Sequence, residues 1–399
     1  MIKRLRPCYH SLGGTPWDGS ALGEAIATWH PHPFQYVAAD EFADRVSAAR
    51  RQVAGGDRSL AVVELMRLAA LLGDRNGHTA ILPADDHPDP LHLYPIAPYE
   101  FEDGVFVVAS ATDRDLVGFE LEAVAGVPCE ELLAQLEPLV ARDNEWTVRA
   151  RRPLYLVTAE VLRGVLQASD SVPIDLCGRC GSVRVVLDPV PAGEWYTQLR
   201  DAFPTWDARL PRRTELMFRG RREGPHWLET IRDGEVAYIA YEVTRGDLTG
   251  FACDVDALVG RAEIGQILLD LRLNGGGDNT TYGPLLDVLE RATHELGKRL
   301  RVLIGRSTFS AAMQLVVDLE RRTPAEFIGE PTGGSPNQYG DARQLVLADS
   351  RLIANVATVS WTTAGAGDER LALEPDLPVP IQSADYFAGR DPALEAALE

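Results

Sequence analysis

Three short stretches carry groups that could do chemistry. The first, Asp270-Leu-Arg-Leu-Asn-Gly-Gly-Gly277, directly follows an apolar run. Three consecutive glycines let the backbone turn sharply and leave its N–H groups unobstructed. Such donors suit a phosphate or the oxyanion of acyl transfer equally well, although a glycine run alone is more often a plain turn. No Gly-Lys-Ser/Thr follows, so this is not a P-loop. The second stretch is Gly305-Arg-Ser-Thr-Phe-Ser-Ala-Ala-Met313, between a predicted strand and a predicted helix. A serine there places its Oγ at the positive end of a helix dipole, where an attacking alkoxide gains stabilisation. Ser307, Thr308 and Ser310 are equally suited to a plain capping role. The third, Gly73-Asp-Arg-Asn-Gly-His-Thr79, presents His78 from a polar, glycine-containing loop. Imidazole, with an ordinary pKa near ~6.5, accepts a proton at neutral pH. Most lone histidines are structural, and the other seven have no comparable setting.

These stretches are far apart in sequence, so the elements between them must bring them together. The chain has 399 residues, 45% hydrophobic and 25% charged, enough for a buried core and two or three domains. Its formal net charge is -20. A surface that acidic repels phosphate backbones and anionic lipid, which argues against nucleic-acid and membrane partners. The first residues lack an apolar stretch behind their basic residues, and no run of ~18 apolar residues occurs, so a cytoplasmic location is expected.

Apolar residues recur at helical spacing as Phe42, Val46, Ala49 and Val53, then as Ala61, Leu65, Leu68 and Leu72. Gly55-Gly56 separates the two runs, which predicts two helices in an α-helical N-terminal region, 1–82. The segment 83–90, with three prolines and three aspartates, reads as a linker. Strands are expected at 91–96, 104–109 and 120–124, a short helix at 130–137, and a hairpin at 172–176 and 183–187. Together they make a small β-rich region over 83–195, with a second boundary marked by prolines at 189–193 and 203–211. Beyond it strands (236–243, 266–271, 301–304, 326–329, 344–347, 353–359) alternate with helices (284–296, 311–320). That alternation predicts a mixed α/β domain, 196–399, carrying the glycine loop and Ser310.

The motifs D-L-R-x-N-G-G-G, T-x-S-A-A and G-E-P-T-G-G follow one another over 270–334, with D-x-x-G-H-T upstream at 74–79. In that order the chain resembles the tail-specific, or C-terminal processing, serine peptidase family. Within it, the chain resembles the branch of the tricorn core and the retinoid-binding modules of the photoreceptor matrix. The resemblance covers about 266–380 and the histidine segment. It implies a crotonase-like αβ catalytic core, a preceding α-helical region and a small PDZ-like region. It also implies a peptide or protein substrate, no cofactor and no metal, and a chain able to form homo-oligomers.

The resemblance carries roles to particular residues. Ser310 is the expected nucleophile, with an oxyanion hole from the backbone N–H groups of Ala311 and Gly276. Gly275, Gly277, Thr332, Gly333 and Gly334 are expected along the substrate cleft, with 337–340 nearby. One branch of the family uses a lysine base in G-E-P-T-x-G-K-G. The matching stretch here ends Gly334-Ser335-Pro336, and no lysine follows Lys298. The other branch uses a histidine and a later acid, which points to His78 with Asp368 favoured over Glu369; Asp74 is a rival. Where the tricorn core has a serine before its histidine, this chain has Gly77, which leaves the relay from base to acid in question.

Two other classes fit parts of the pattern. The same scaffold serves as a ligand-binding module without catalysis in the retinoid-binding relatives. A crotonase-like acyl-CoA enzyme would share the core, but anionic CoA suits a charge of -20 poorly. Five scattered cysteines form no disulfide framework, and Cys177-Gly-Arg-Cys180 lacks a second pair for a zinc site.

Overall fold

Strands buried on both faces read as continuous apolar runs, and three such runs form the centre of the larger sheet. Val236–Tyr241, Gln266–Asp270 and Arg299–Ile304 lie side by side and parallel, continued by Glu326–Gly329 and Leu377–Pro378. His226–Ile231 closes the other edge antiparallel. Helices Thr249–Val259, Gly283–His294 and Ala311–Arg322 bury one face through Val255, Leu285, Leu289 and Val316. The short helix Pro392–Ala397 covers the other face through Ala393, Leu394 and Ala397. The computed structural model describes residues 18–53, 56–81, 90–112, 115–167, 171–178, 181–202 and 224–399.

A second core joins the N-terminal helices Asp18–Trp29, Ala39–Gln52 and Arg58–Ala70 to an antiparallel sheet. That sheet runs in the order Ile96–Phe101, Gly104–Ser110, Glu120–Val124, Val172–Gly178 and Gly181–Leu187, with Val127–Pro128 paired to Glu120–Val124. The hairpin Arg343–Val346/Ile353–Val356 reaches back into this core through Leu345, Ala354 and Val356. It also pairs with Ala80–Ile81, the strand just after His78. A late segment of the chain thereby anchors the early histidine loop.

The fold is mixed α/β, and local signals explain several elements. Asp57 caps Arg58–Ala70 by accepting from Ser59 N and Leu60 N, a contribution of about 1 kcal/mol. Asn144 and Thr147 form a reciprocal capping box at Glu145–Tyr155. Helices Glu145–Tyr155, Ala159–Leu166, Ala192–Ala202 and Thr249–Val259 lie where the sequence predicts none, and Asp18–Trp29 adds a third helix to the expected helical region. In Glu145–Tyr155, three arginines and Pro153 obscure the apolar period. The strand expected at 353–359 is two strands, Ile353–Val356 and Val359–Trp361. Between them Ala357 N donates to Thr79 Oγ1 and Thr358 N to the Gly340 carbonyl. The expected linker (apart from Pro90), the boundary at 203–211 and Cys180 lie outside the described residues. Among the described residues no helix is long and apolar enough to cross a membrane.

Candidate active site

The strand Arg299–Ile304 ends at Gly305, and a tight turn leads into the helix Ala311–Arg322. Thr308 fixes that turn: its Oγ1 accepts from Gly305 N (3.1 Å) and donates to the Leu271 carbonyl (2.9 Å). Ser310 stands at the N-cap with φ 56° and ψ -125°, a conformation that costs roughly 1–3 kcal/mol for a residue with a side chain. It makes no capping hydrogen bond. Its Oγ instead lies 2.9 Å from His78 Nε2. A serine in a strained strand-to-helix turn, exposed to a base, is the geometry of a nucleophile elbow.

His78 reaches this point because its loop is stitched to later segments. The Arg75 carbonyl accepts from Tyr339 N at 3.0 Å, and Asn76 Nδ2 donates to the carbonyls of Leu72 and Asp74. The imidazole stacks on Phe309, with centroids 4.6 Å apart and planes at 27°. Burial, and then the nearby Arg151 cation, lower its pKa to about 4, with a weak interaction at the Tyr339 backbone working the other way. The ring is therefore neutral at physiological pH, as a base must be. Among the described residues its buried Nδ1 makes no well-formed hydrogen bond, the Tyr339 backbone being the polar group that acts on it.

The glycine loop lies against Ser310. Asp270 and Arg272 anchor its start: Arg272 bonds Asp270 and Asp391, and Tyr238 donates to Asp270. Asn274 then ties it down, donating to the Tyr241 carbonyl while its own carbonyl accepts from Phe309 N. Gly276 has φ +100°, and a Cβ there would lie 2.5 Å from Ser310 Cβ and 2.9 Å from Ala311 N. Only glycine fits. The Gly276 N–H, expected as an oxyanion donor, is already given to Asn274 Oδ1 at 2.9 Å. Among the described residues the N–H groups of Gly275, Gly277 and Ala311 have no intramolecular acceptor.

Against known proteins, no family model matches the chain and no curated protein matches it. Solved structures do. Mature CPAF aligns over 92% of this chain and 93% of its own, with a TM-score of 0.61 and 14% identity. CPAF complexed with lactacystin aligns over 93% and 94%, with a TM-score of 0.64 and 13% identity. A CPAF serine-to-alanine mutant gives 0.62 at 14% identity over 93% and 94%. The fold is similar to that of CPAF. At these identities the likeness concerns the fold, along nearly the whole of both chains.

The other expected site residues fall in different places. Asp368 is engaged with Arg370, which also holds Glu320, and this pairing keeps its carboxyl below the usual range. It makes no bond to His78; Glu369 is exposed, and Asp74 faces Arg142 at 3.9 Å. Thr332, Gly333 and Gly334 are buried. Their backbone groups are committed to Leu373 and Asn144, to Thr147, and to Thr308. The loop braces the nucleophile turn from behind.

Residues outside every motif complete the surroundings. Gln338 Nε2 donates to the Ser310 carbonyl at 3.0 Å, and Trp361 packs on Gly340 beside the His78 ring. Asp143 is fully buried and accepts from both Gly77 N and Ser335 N. Ser335 occupies the position of the lysine in the other branch of the family that the sequence resembles. Gln338 and Gly340 belong to the 337–340 stretch expected nearby, whereas Asp143 and Trp361 had no sequence signal, since single residues carry no spacing pattern. A separate apolar cleft, lined by Tyr99, Ile304, Ser307, Ile381 and Tyr386, lies at the carboxyl ends of the parallel strands. Neither Ser310 nor His78 lines it.

Proposed function

We propose that this chain is a serine peptidase that hydrolyses peptide bonds through an acyl-enzyme. The observation that carries the reading is the 2.9 Å approach of His78 Nε2 to the Oγ of a strained Ser310. Ser310 Oγ attacks the carbonyl carbon while His78 Nε2 takes its proton. The resulting imidazolium, held in surroundings that disfavour its charge, gives the proton to the leaving amine as the C–N bond breaks. His78 then takes a proton from water as the water oxygen attacks the ester carbonyl, and returns it to Ser310 Oγ as the acyl C–O bond breaks, which releases the acid and restores both residues. The developing oxyanion would be met by Ala311 N–H and a glycine of the loop. The N–H groups of Gly275 and Gly277 are available for this, and that of Gly276 only in competition with Asn274. Each such donor contributes roughly a hundredfold or more in rate.

The proposal extends to the architecture. Residues 196–399 act as a crotonase-like catalytic core and 83–195 as a PDZ-like region that helps to hold a peptide. The helical region 1–82 carries the base. The likeness to CPAF, one form of which holds lactacystin, makes that compound a reasonable first ligand to try.

One observation favours the second reading, a ligand-binding module without turnover: the buried Nδ1 of His78 has no acid beside it. Fluorophosphonate treatment followed by intact-mass analysis separates the two. The peptidase reading expects one adduct on wild type, none on Ser310→Ala, and at least ~10³-fold slower labelling of His78→Ala. A folded wild-type protein that takes up no adduct would overturn it in favour of the binding module.

A further inference from the structure

Gly77, the residue before the base, has both backbone groups held from the same part of the fold. Asp143 Oδ1 accepts from Gly77 N at 2.7 Å, and Arg151 Nη1 donates to the Gly77 carbonyl at 2.7 Å. Asp143 immediately precedes the capping box of the helix Glu145–Tyr155, and Arg151 lies within that helix. Each residue has a second grip. Asp143 Oδ2 accepts from Ser335 N (3.0 Å), and Arg151 also donates to the Ala141 carbonyl (2.7 Å). The Arg151 guanidinium sits 5.2 Å from the centre of the Phe309 ring, the ring on which His78 stacks.

The pattern accounts for the glycine. A Cβ on residue 77 would lie 2.9 Å from Asp143 Oδ1 and 3.0 Å from the Phe309 ring, so no side chain fits while the carboxylate holds its place. Asp368 and Glu369 stand elsewhere, and His78 Nδ1 makes no well-formed hydrogen bond. With no acid on Nδ1, the orientation of the imidazole comes from its backbone, from the ring it stacks on and from the Tyr339 backbone.

We propose that Asp143 and Arg151 are positioning residues for His78, fixing the base by gripping the peptide groups of Gly77 and the Phe309 ring instead of by a carboxylate on Nδ1. The proposal rests on the Ser/His reading above. Among charged groups, His78 faces Arg151; Asp143 faces Arg151 and Asp74; Arg151 faces Asp143 and Tyr155. Burial raises the Asp143 carboxyl to about 6, against the pull of its two N–H donors and Arg151. At neutral pH it is a carboxylate that accepts from both loops. In Asp143→Asn one of those N–H groups would face an amide NH2 instead of an acceptor. Arg151→Met keeps an apolar stem but frees the Gly77 carbonyl and removes the cation near His78.

The test measures the base directly, so that it does not depend on turnover. His78 is followed by NMR in histidine-labelled protein, assigned by its loss in His78→Gln, from pH 3.5 to 8. Wild type should show a midpoint near the low value of about 4. Arg151→Met should move it up by the part of the lowering that the cation supplies, burial holding it below the ordinary imidazole value of ~6.5, and Arg151→Lys should move it less. Fluorophosphonate labelling of Ser310 should slow about a hundredfold in Asp143→Asn through misplacement of the base, and be partly restored in Arg151→Lys relative to Arg151→Met. If Asp143→Asn and Arg151→Met, folded by circular dichroism, keep both the wild-type midpoint and wild-type labelling within twofold, the two residues serve only the fold and the proposal fails. A midpoint that moves in Arg151→Met, in a protein no form of which labels, would uphold the positioning role while removing the peptidase reading.

Discussion

Ser310 and its glycine loop are shaped mainly by two neighbouring strand ends, whereas His78 is placed by residues gathered from across the chain. In the first region Asn274, Thr308 and Gly276 act over short distances, and the strain is stored in one residue at φ 56°. In the second, Asp143, Arg151, Phe309, Tyr339 and Thr79 each supply one contact, and the strand Ala80–Ile81 is paired to Ile353–Val356. A nucleophile can be built into a turn, because strain and the helix end are local properties. A base that must meet it from another layer of the molecule depends on the packing between layers.

The largest effect that would test this contrast is expected at Gly276→Ala. The added methyl has to displace Ser310 Cβ, the Phe309 carbonyl or Ala311 N, all within 2.5–2.9 Å. Labelling of Ser310 should fall at least ~100-fold, and the melting temperature should fall as well, because Gly276 is buried and its φ of +100° strains any residue with a Cβ. Labelling within threefold of wild type in the folded variant would mean that the turn yields to the methyl, and the contrast would dissolve.

The same contrast explains what could be read from the sequence. The parallel strands, Ser310 and the glycine triplet were legible because apolar runs, a strand-to-helix serine and consecutive glycines are local patterns. His78 was legible from its loop, but not the reason for Gly77, which lies 66 residues away at Asp143. The acid was sought at Asp368 on the strength of motif order, yet that carboxylate is engaged with Arg370. The internal commitment of the Gly276 N–H and the buried setting of 332–334 were equally invisible, because both are set by which partner arrives first in three dimensions.

A second, smaller effect concerns pH. With its folded value at about 4, His78 stays neutral through the mildly acidic range. Labelling should therefore fall on acidification with the Asp143 carboxyl, at about 6, and not with the imidazole; an ordinary imidazole would leave only ~3% of the ring neutral at pH 5. The sign for stability is the reverse. Because the folded value lies below the unfolded one, protons bind the unfolded chain better, and the His78 contribution present above pH ~6.5 is lost as pH falls toward 4. Melting temperatures from pH 7 to 4.5 should fall more steeply for wild type than for His78→Gln. Equal slopes, or a His78 midpoint near ~6.5 by NMR, would show a solvated ring and remove the distinction between the two regions.

The smallest effect is expected at Asp368→Asn, and its smallness is informative. Asp368 pairs with a partly exposed Arg370, and such pairs contribute about 0–1 kcal/mol. If the histidine is held by its backbone and by Phe309, removing this charge should change the labelling rate by less than about threefold and leave the His78 midpoint in place. Arg370 would keep Glu320 as its partner. A drop comparable to that of Asp143→Asn would mean that Asp368 leaves Arg370 and reaches Nδ1 during the reaction. The base would then depend on a side-chain acid after all, and the buried Nδ1 would mark a resting arrangement rather than the working one.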